Sequence, residues 1–210
     1  MNLKLKICGM REPSNILEVA GLQPEYMGFI FYKKSPRCVP IDFKVPSEFP
    51  KTVKRVGVFV DEDLEQIISL VYQHQLDFVQ LHGHESTVFC EKLKEQSIRV
   101  IKVFSVEDEF DFNVTKTYSD VADYFLFDTK GKYHGGNGQA FDWNLLHRYD
   151  QETPFFLSGG LSVDNITNVN TLKNLNLHAI DVNSGVENAV GLKNKERIAN
   201  LKLEIEKLKI

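Results

Sequence analysis

The chain has 210 residues, with 25 Lys and Arg against 29 Asp and Glu, a net charge of −4 and no block of like charge. That balance gives no reason to expect nucleic acid or an anionic membrane surface as a partner, and no apolar run approaches the ~20 residues of a membrane span. Three scattered cysteines (Cys8, Cys38 and Cys90) argue against a disulfide framework, so a reduced, cytoplasmic setting is expected, with no signal-peptide core in the opening MNLKLKICGM.

Eight short apolar runs begin near Leu3, Tyr26, Arg55, Asp77, Arg99, Tyr124, Phe155 and His178. Rich in Val, Ile and Phe, they suit strands buried on both faces: Tyr26–Tyr32, Arg55–Val60, Asp77–Leu81, Arg99–Phe104, Tyr124–Phe127, Phe155–Leu157 and Ala179–Val182. Between them lie stretches long enough for helices. Asp61, Glu62 and Asp63 precede the apolar series Leu64, Ile67, Ile68 and Val71. Ser86 precedes Val88, Phe89 and Leu93, and Ser162 precedes Ile166, Val169 and Leu172. Asn194 is placed to cap a last helix carrying Ile198, Leu201, Leu203, Ile205 and Leu208. Eight strand–helix units without a linker predict a single-domain (β/α)8 TIM barrel over residues 1–210, with an open doubly wound sheet as the rival that periodicity alone does not exclude. The length is short for a fold that usually takes about 250 residues, so its loops must be brief.

In such a barrel the chemistry lies where the strands end. Cys8, closing the first run before Gly9, is either a small buried hydrophobe or, as thiolate, a base or nucleophile. Arg37, in Ser35-Pro36-Arg37 beyond the second run, is either a solvated loop residue or a fork for a substrate carboxylate. His82 is expected to line the pocket. His84 and Glu85 are expected to start the following helix rather than hold a metal, because their spacing lacks the i, i+4 pair of a helical zinc site. Asp128, ending the sixth run, is either a turn former or an acid whose pKa burial has raised. It is followed by a long glycine-rich segment, 131–138, with the look of a binding loop that carries His134. Ser158-Gly159-Gly160 and Asn183-Ser184-Gly185 follow the last two strands. Small residues in those two loops let backbone N–H groups approach a phosphate.

Taken in order, Lys6-Ile7-Cys8-Gly9-Met10, Gly28-Phe29-Ile30-Phe31 with Ser35-Pro36-Arg37, Val56-Gly57-Val58-Phe59, Val79-Gln80-Leu81-His82-Gly83, Phe127-Asp128-Thr129, Gly135-Gly136-Asn137-Gly138 with Phe141-Asp142-Trp143, Leu157-Ser158-Gly159-Gly160-Leu161 and Asp181-Val182-Asn183-Ser184-Gly185-Val186-Glu187 strongly resemble the phosphoribosylanthranilate isomerases of tryptophan biosynthesis over essentially the whole chain. The resemblance implies a single (β/α)8 barrel, no cofactor and a small phosphosugar substrate; no metal is expected, and the sequence leaves monomer or homodimer open. The implied reaction is an Amadori rearrangement of N-(5-phosphoribosyl)anthranilate to 1-(2-carboxyphenylamino)-1-deoxyribulose 5-phosphate. By position, Cys8 matches the general base, Asp128 the general acid and Arg37 the carboxylate clamp. Gly159, Gly160, Asn183, Ser184 and Gly185 match the phosphate cradle, and Asp181 matches an aspartate that approaches the substrate.

The chain departs from the common pattern at Asn183, where serine is usual, at Asn137, and at Val190-Gly191-Leu192-Lys193-Asn194, which replaces a more usual Pro-Gly-X-Lys-Asp. None of these touches the implied acid–base pair. Another phosphosugar isomerase or an epimerase fits less well, because an aspartate is expected where Cys8 stands. A catalytically silent barrel would have lost the acid and the base, and both are present.

Overall fold

The computed structural model describes residues 3–129 and 142–208. Eight parallel strands are present: β1 (Lys4–Ile7), β2 (Tyr26–Ile30), β3 (Lys54–Phe59), β4 (Phe78–Leu81), β5 (Arg99–Val106), β6 (Tyr124–Thr129), β7 (Phe155–Leu157) and β8 (Leu177–Val182). Each pairs with its sequence neighbours, and β1 pairs with β8 in the register Lys6↔Asp181 and Ile7↔Val182. The sheet is therefore a closed barrel, which removes the open-sheet alternative.

The near-continuous apolar runs reflect two cores fed by alternate residues. Val56, Phe78, Ile101, Leu126, Phe156 and Ala179 fill the barrel interior. Ile7, Phe29, Val79, Phe127, Leu157 and Ile180 point outward into the layer under the helices. The floor of the barrel is aromatic. Tyr26, which starts β2, meets Phe78 at the start of β4 and Phe156 of β7 edge-on, with ring centroids 5.8 and 5.2 Å apart. The Tyr26 hydroxyl and His178 Nε2 lie 2.7 Å apart. Burial holds His178 down at about 4, so it stays neutral in this apolar plug. With the floor sealed, the polar strand ends at the opposite mouth are left as the site.

Among the described residues, fewer helices form than the spacing suggests. Regular helices are α1 (Pro13–Ala20), α2 (Leu64–His74), α3 (Thr87–Glu95) and α5 (Lys195–Glu206), with a single turn, α4, at Asn113–Lys116. The connection after β2 has no helix. Four of the seven prolines (Pro36, Pro40, Pro46 and Pro50) fall there, and each removes an N–H donor that a helix would need. After β6 and β7 the chain forms 3-10 segments at Trp143–Arg148 and Ile166–Leu172. Ile166, Val169 and Leu172 recur every third residue and all three are buried, which matches three residues per turn rather than 3.6.

The predicted caps behave differently from one another. Ser86 Oγ accepts the N–H of Phe89 at 3.2 Å, and Asn194 Oδ1 accepts that of Arg197 at 2.9 Å. Asp63 precedes α2 without a side-chain bond. Leu203, expected on the apolar face of the last helix, is exposed, while Ile198, Leu201 and Ile205 carry the packing. His84 and Glu85 do not start α3, which begins two residues later. His84 is exposed and its N–H donates to Asp61, whereas Glu85 is buried, where it accepts N–H groups of Asp61 and Gly83 and pairs with Lys102 Nζ at 2.8 Å. A short hairpin, β9 (Glu187–Ala189) and β10 (Leu192–Lys193), links the barrel to α5.

Asn194→Ala is expected to lower unfolding free energy by about 1 kcal/mol, with Asn194→Asp close to wild type, as read by urea titration. Equal losses in both variants would mean that the cap bond is not what Asn194 contributes.

Candidate active site

Cys8, His82, Ser158 and Asn183 stand one residue beyond the ends of β1, β4, β7 and β8, and Asp128 and Asp181 lie in the last turns of β6 and β8. Together with Gln80 they line one open pocket at the carboxyl end of the barrel. Residues separated by up to 175 positions thus share one wall-to-wall space, because strand alternation points them all inward.

On β1 the alternation puts Lys6 on the same face as Cys8. Lys6 is fully buried, and its ammonium donates to Asp181 Oδ1 at 2.9 Å. Its charge favours the thiolate form of Cys8. Burial pushes the Cys8 thiol upward, and the Lys6 and Lys193 ammonium groups pull it back, with Asp181 adding to the rise. Gly28 makes room for the sulfur: a Cβ there would lie 2.8 Å from Cys8 Sγ.

Asp128 is 4 % exposed and raised to about 7, first by burial and then by the neighbouring Asp181 carboxylate. The N–H of Thr129, donating to Oδ1 at 2.9 Å, opposes the rise without cancelling it. His82 Nε2 lies 3.6 Å from Asp128 Oδ2. Burial also pushes Asp181 up, and Lys6 works against that shift. The pocket therefore holds one carboxyl that carries its proton near neutrality, beside a thiol with a fixed cation behind it.

Arg37 is not a solvated loop residue. Its Nε and Nη2 donate to the two oxygens of Glu187 at 2.8 Å each, a bidentate fork with both partners buried. Glu187 also accepts Lys193 Nζ at 2.7 Å and the N–H of Gly191 at 3.0 Å. Burial alone would raise Glu187, but Arg37 and Lys193 outweigh it and hold the carboxyl low. Lys193 is itself pulled down to about 8 by burial, and it donates to Asn183 Oδ1 at 2.6 Å.

Gly159 and Gly160 take φ of +93° and +65°, a conformation that costs other residues dearly. No acceptor for their N–H groups is found among the described residues. The Asn183 loop passes directly into a 3-10 turn at Ser184–Val186. The glycine-rich segment 131–138, with His134 and Asn137, lies outside the described residues.

Sequence reasoning named Cys8, Arg37, His82, Asp128, Gly159, Gly160, Asp181, Asn183, Ser184 and Gly185, and gave no role to Lys6, Gln80, Glu187 or Lys193. For Lys6 and Gln80 a signal existed: each is two residues before a named strand-end residue, hence on the same face. For Glu187 and Lys193 there was none, since Glu187 pairs with Arg37 across 150 positions and with Lys193 across a hairpin.

Residues 5–202 match the family model of N-(5'-phosphoribosyl)anthranilate isomerase. An isomerase of that name from Parabacteroides distasonis is 40 % identical over 199 residues, covering 93 % of this chain and 90 % of the relative. The crystal structure of phosphoribosylanthranilate isomerase from Thermotoga maritima superposes with a TM-score of 0.82 at 32 % identity, over 98 % of both chains. A phosphoribosylanthranilate isomerase in complex with reduced 1-(o-carboxyphenylamino)-1-deoxyribulose 5-phosphate is similar at a TM-score of 0.78 and 31 % identity, over 99 % of this chain and 98 % of the other.

The raised Asp128 has a stability consequence with a definite sign. Between its ordinary value of 3.8 and about 7 the folded protein keeps a proton that the unfolded chain has released, so this site's contribution to stability falls as pH rises through that window and is level above it. Asp128→Asn is therefore expected to gain stability relative to the parent as pH rises from 4 to 7, with the difference constant beyond. A difference independent of pH in urea titrations would show that Asp128 is not raised.

Proposed function

The chain belongs to the N-(5'-phosphoribosyl)anthranilate isomerase family and is an aldose–ketose isomerase of tryptophan biosynthesis; from that premise we propose how its own residues carry the reaction. The observation that carries the assignment is the pairing, in one pocket, of a buried Asp128 raised to about 7 with the Cys8 thiol. An acid that still holds its proton near neutrality is what ring opening requires.

Asp128 protonates the furanose ring oxygen, and the ring opens to a protonated imine. The iminium withdraws electrons from C2′, and Cys8 as thiolate removes the C2′ proton to give an enolamine. Tautomerisation then yields the ketone. The substrate's own nitrogen is the electron sink in this sequence. His82, 3.6 Å from Asp128, lines the pocket beside the acid, and Asp181 approaches the sugar from β8.

Arg37 receives the anthranilate carboxylate. Glu187 occupies its Nε and one Nη2 hydrogen, which fixes the guanidinium plane and leaves the remaining N–H groups for a ligand. The N–H groups of Gly159 and Gly160 and the turn at Ser184 and Gly185 form the phosphate cradle. Clamping both ends of the substrate holds C1′ and C2′ between acid and base, and such orientation supplies a large part of the rate gain in reactions of this kind.

Because Cys8 titrates above Asp128, the working form is the singly protonated pair with its proton on Asp128. That microstate is a fixed fraction of the singly protonated pair, so kcat/KM is expected to rise with pH through about 7, where Asp128 titrates, and to fall again where the thiol titrates. A flat profile from pH 6 to 8 would argue against the pair.

The assay is loss of the fluorescence of freshly generated phosphoribosylanthranilate. Asp128→Asn and Cys8→Ala are each expected to lose about 10²-fold or more in kcat while still binding a product analogue. Near-normal turnover in either would remove that residue from its role. Arg37→Ala is expected to act mainly on KM, and an unchanged KM would remove the carboxylate clamp.

A further inference from the structure

Lys6 is the one residue of the pocket network whose presence burial does not explain. It has no exposed surface, in a barrel whose interior also holds an apolar cluster that includes Val56, Leu126 and Phe156. A buried ion pair rarely adds stability over well-packed apolar side chains, because removing both charges from water costs as much as their attraction returns. Another buried lysine–carboxylate pair, Lys102–Glu85, has a structural use: Lys102 also donates to the carbonyls of Leu81 and Gly83 and so ties down the loop after β4. The Lys6 ammonium bonds no backbone group among the described residues. Its hydrogen-bond partner is Asp181 Oδ1 at 2.9 Å, and Cys8 stands two residues further along the same side of the chain; Asp181 and Cys8 both line the pocket.

We propose that Lys6 is a positioning residue for the base: its ammonium is a counter-ion shared between Asp181 and Cys8, and it sets how much of Cys8 is thiolate. In the free protein the thiol's proton leaves to solvent, and Lys6 stays protonated throughout. Asp181 plays the opposing part. It keeps Lys6 charged in a site where burial alone would strip its proton, and it divides the ammonium's attention so that Cys8 is not ionised permanently. The other charged groups near the sulfur are Lys193 and Arg37, from β10 and the loop after β2, and the titratable Asp128 and His82 also line the pocket. Of these, Lys6 has the strongest charge effect on the thiol, with Asp181 next and opposite in sign. Lys193 is already committed to Glu187 and Asn183.

Two substitutions therefore move one titration in opposite directions, which a merely structural role would not do. The measurement is the thiolate absorbance near 240 nm against pH, taken as the difference from Cys8→Ala so that Cys38, Cys90 and the tyrosines cancel. With Lys6→Met the Cys8 midpoint is expected to rise by a pH unit or more, and with Asp181→Asn to fall. In Lys6→Met kcat/KM is expected to drop by about tenfold per unit of that rise, without recovery at high pH, because the proton then sits on Cys8 rather than Asp128. A midpoint that stays put, or that moves the same way in both variants, overturns the proposal. Lys6→Met leaves Asp181 buried without a partner. If it does not fold, the double variant Lys6→Met with Asp181→Asn replaces it: a midpoint above that of Asp181→Asn alone supports the role of Lys6, and an equal one overturns it. The inference rests on Cys8 as the base, and the two fail separately. The thiol titration tests the coupling without any turnover, whereas full activity in Cys8→Ala would remove the base and leave the coupling measurable.

Discussion

The mouth of this barrel depends on β1 pairing with β8. That seam closes the sheet, and its register sets Lys6 against Asp181 and carries Cys8 on to the carbonyl of Val182, which accepts the Cys8 N–H at 2.8 Å. A slip of β1 by one residue would turn Lys6 and Cys8 out toward the helices, bring Leu5 and Ile7 into the interior and leave Asp181 facing inward without its lysine. The ion pair across the seam works against such a slip, since a lysine in the helix-packing layer would lose its only carboxylate. Closure of the fold and assembly of the site are thus one event.

Burial then does the electrostatic tuning. The same removal of water raises Asp128 toward neutrality, raises Cys8, and lowers Lys193. These shifts run against the stability of the free protein, which is the usual condition of a site built for chemistry. What limits the cost is pairing. Lys6 with Asp181 forms a neutral pair, while Arg37 and Lys193 share the single carboxylate of Glu187 and leave about one net positive charge near Cys8.

The second of these groups also connects distant parts of the chain. Glu187 and Lys193 belong to the small β9–β10 hairpin, yet they hold Arg37 from the loop after β2 and reach Asn183 at the end of β8. Asn15 of α1 completes the bracket, accepting the N–H of Lys193 and donating to its carbonyl. The proline-rich loop that carries Arg37 has no helix of its own to brace it, and this bracket supplies the rigidity a carboxylate clamp needs.

The sequence by itself determined the eight strands, their order and the polar residues that end them. Strand character is written in local runs such as Phe125–Phe127 and Phe155–Leu157, and the closing residue of each run is legible from the same pattern. It also determined the caps at Ser86 and Asn194, whose bonds span only three residues. Tertiary structure decided closure, the partners of buried charge, and which spacings became helices. The Pro36–Pro50 stretch and the three-residue repeat at Ile166–Leu172 show the limits of counting residues between strands. Glu85 was legible as polar near a helix start, but its pairing with Lys102 came from the neighbouring strand. The physical reason is range: hydrophobic period and capping act within a turn or two, whereas Lys6 with Asp181 and Arg37 with Glu187 are joined only when the barrel closes.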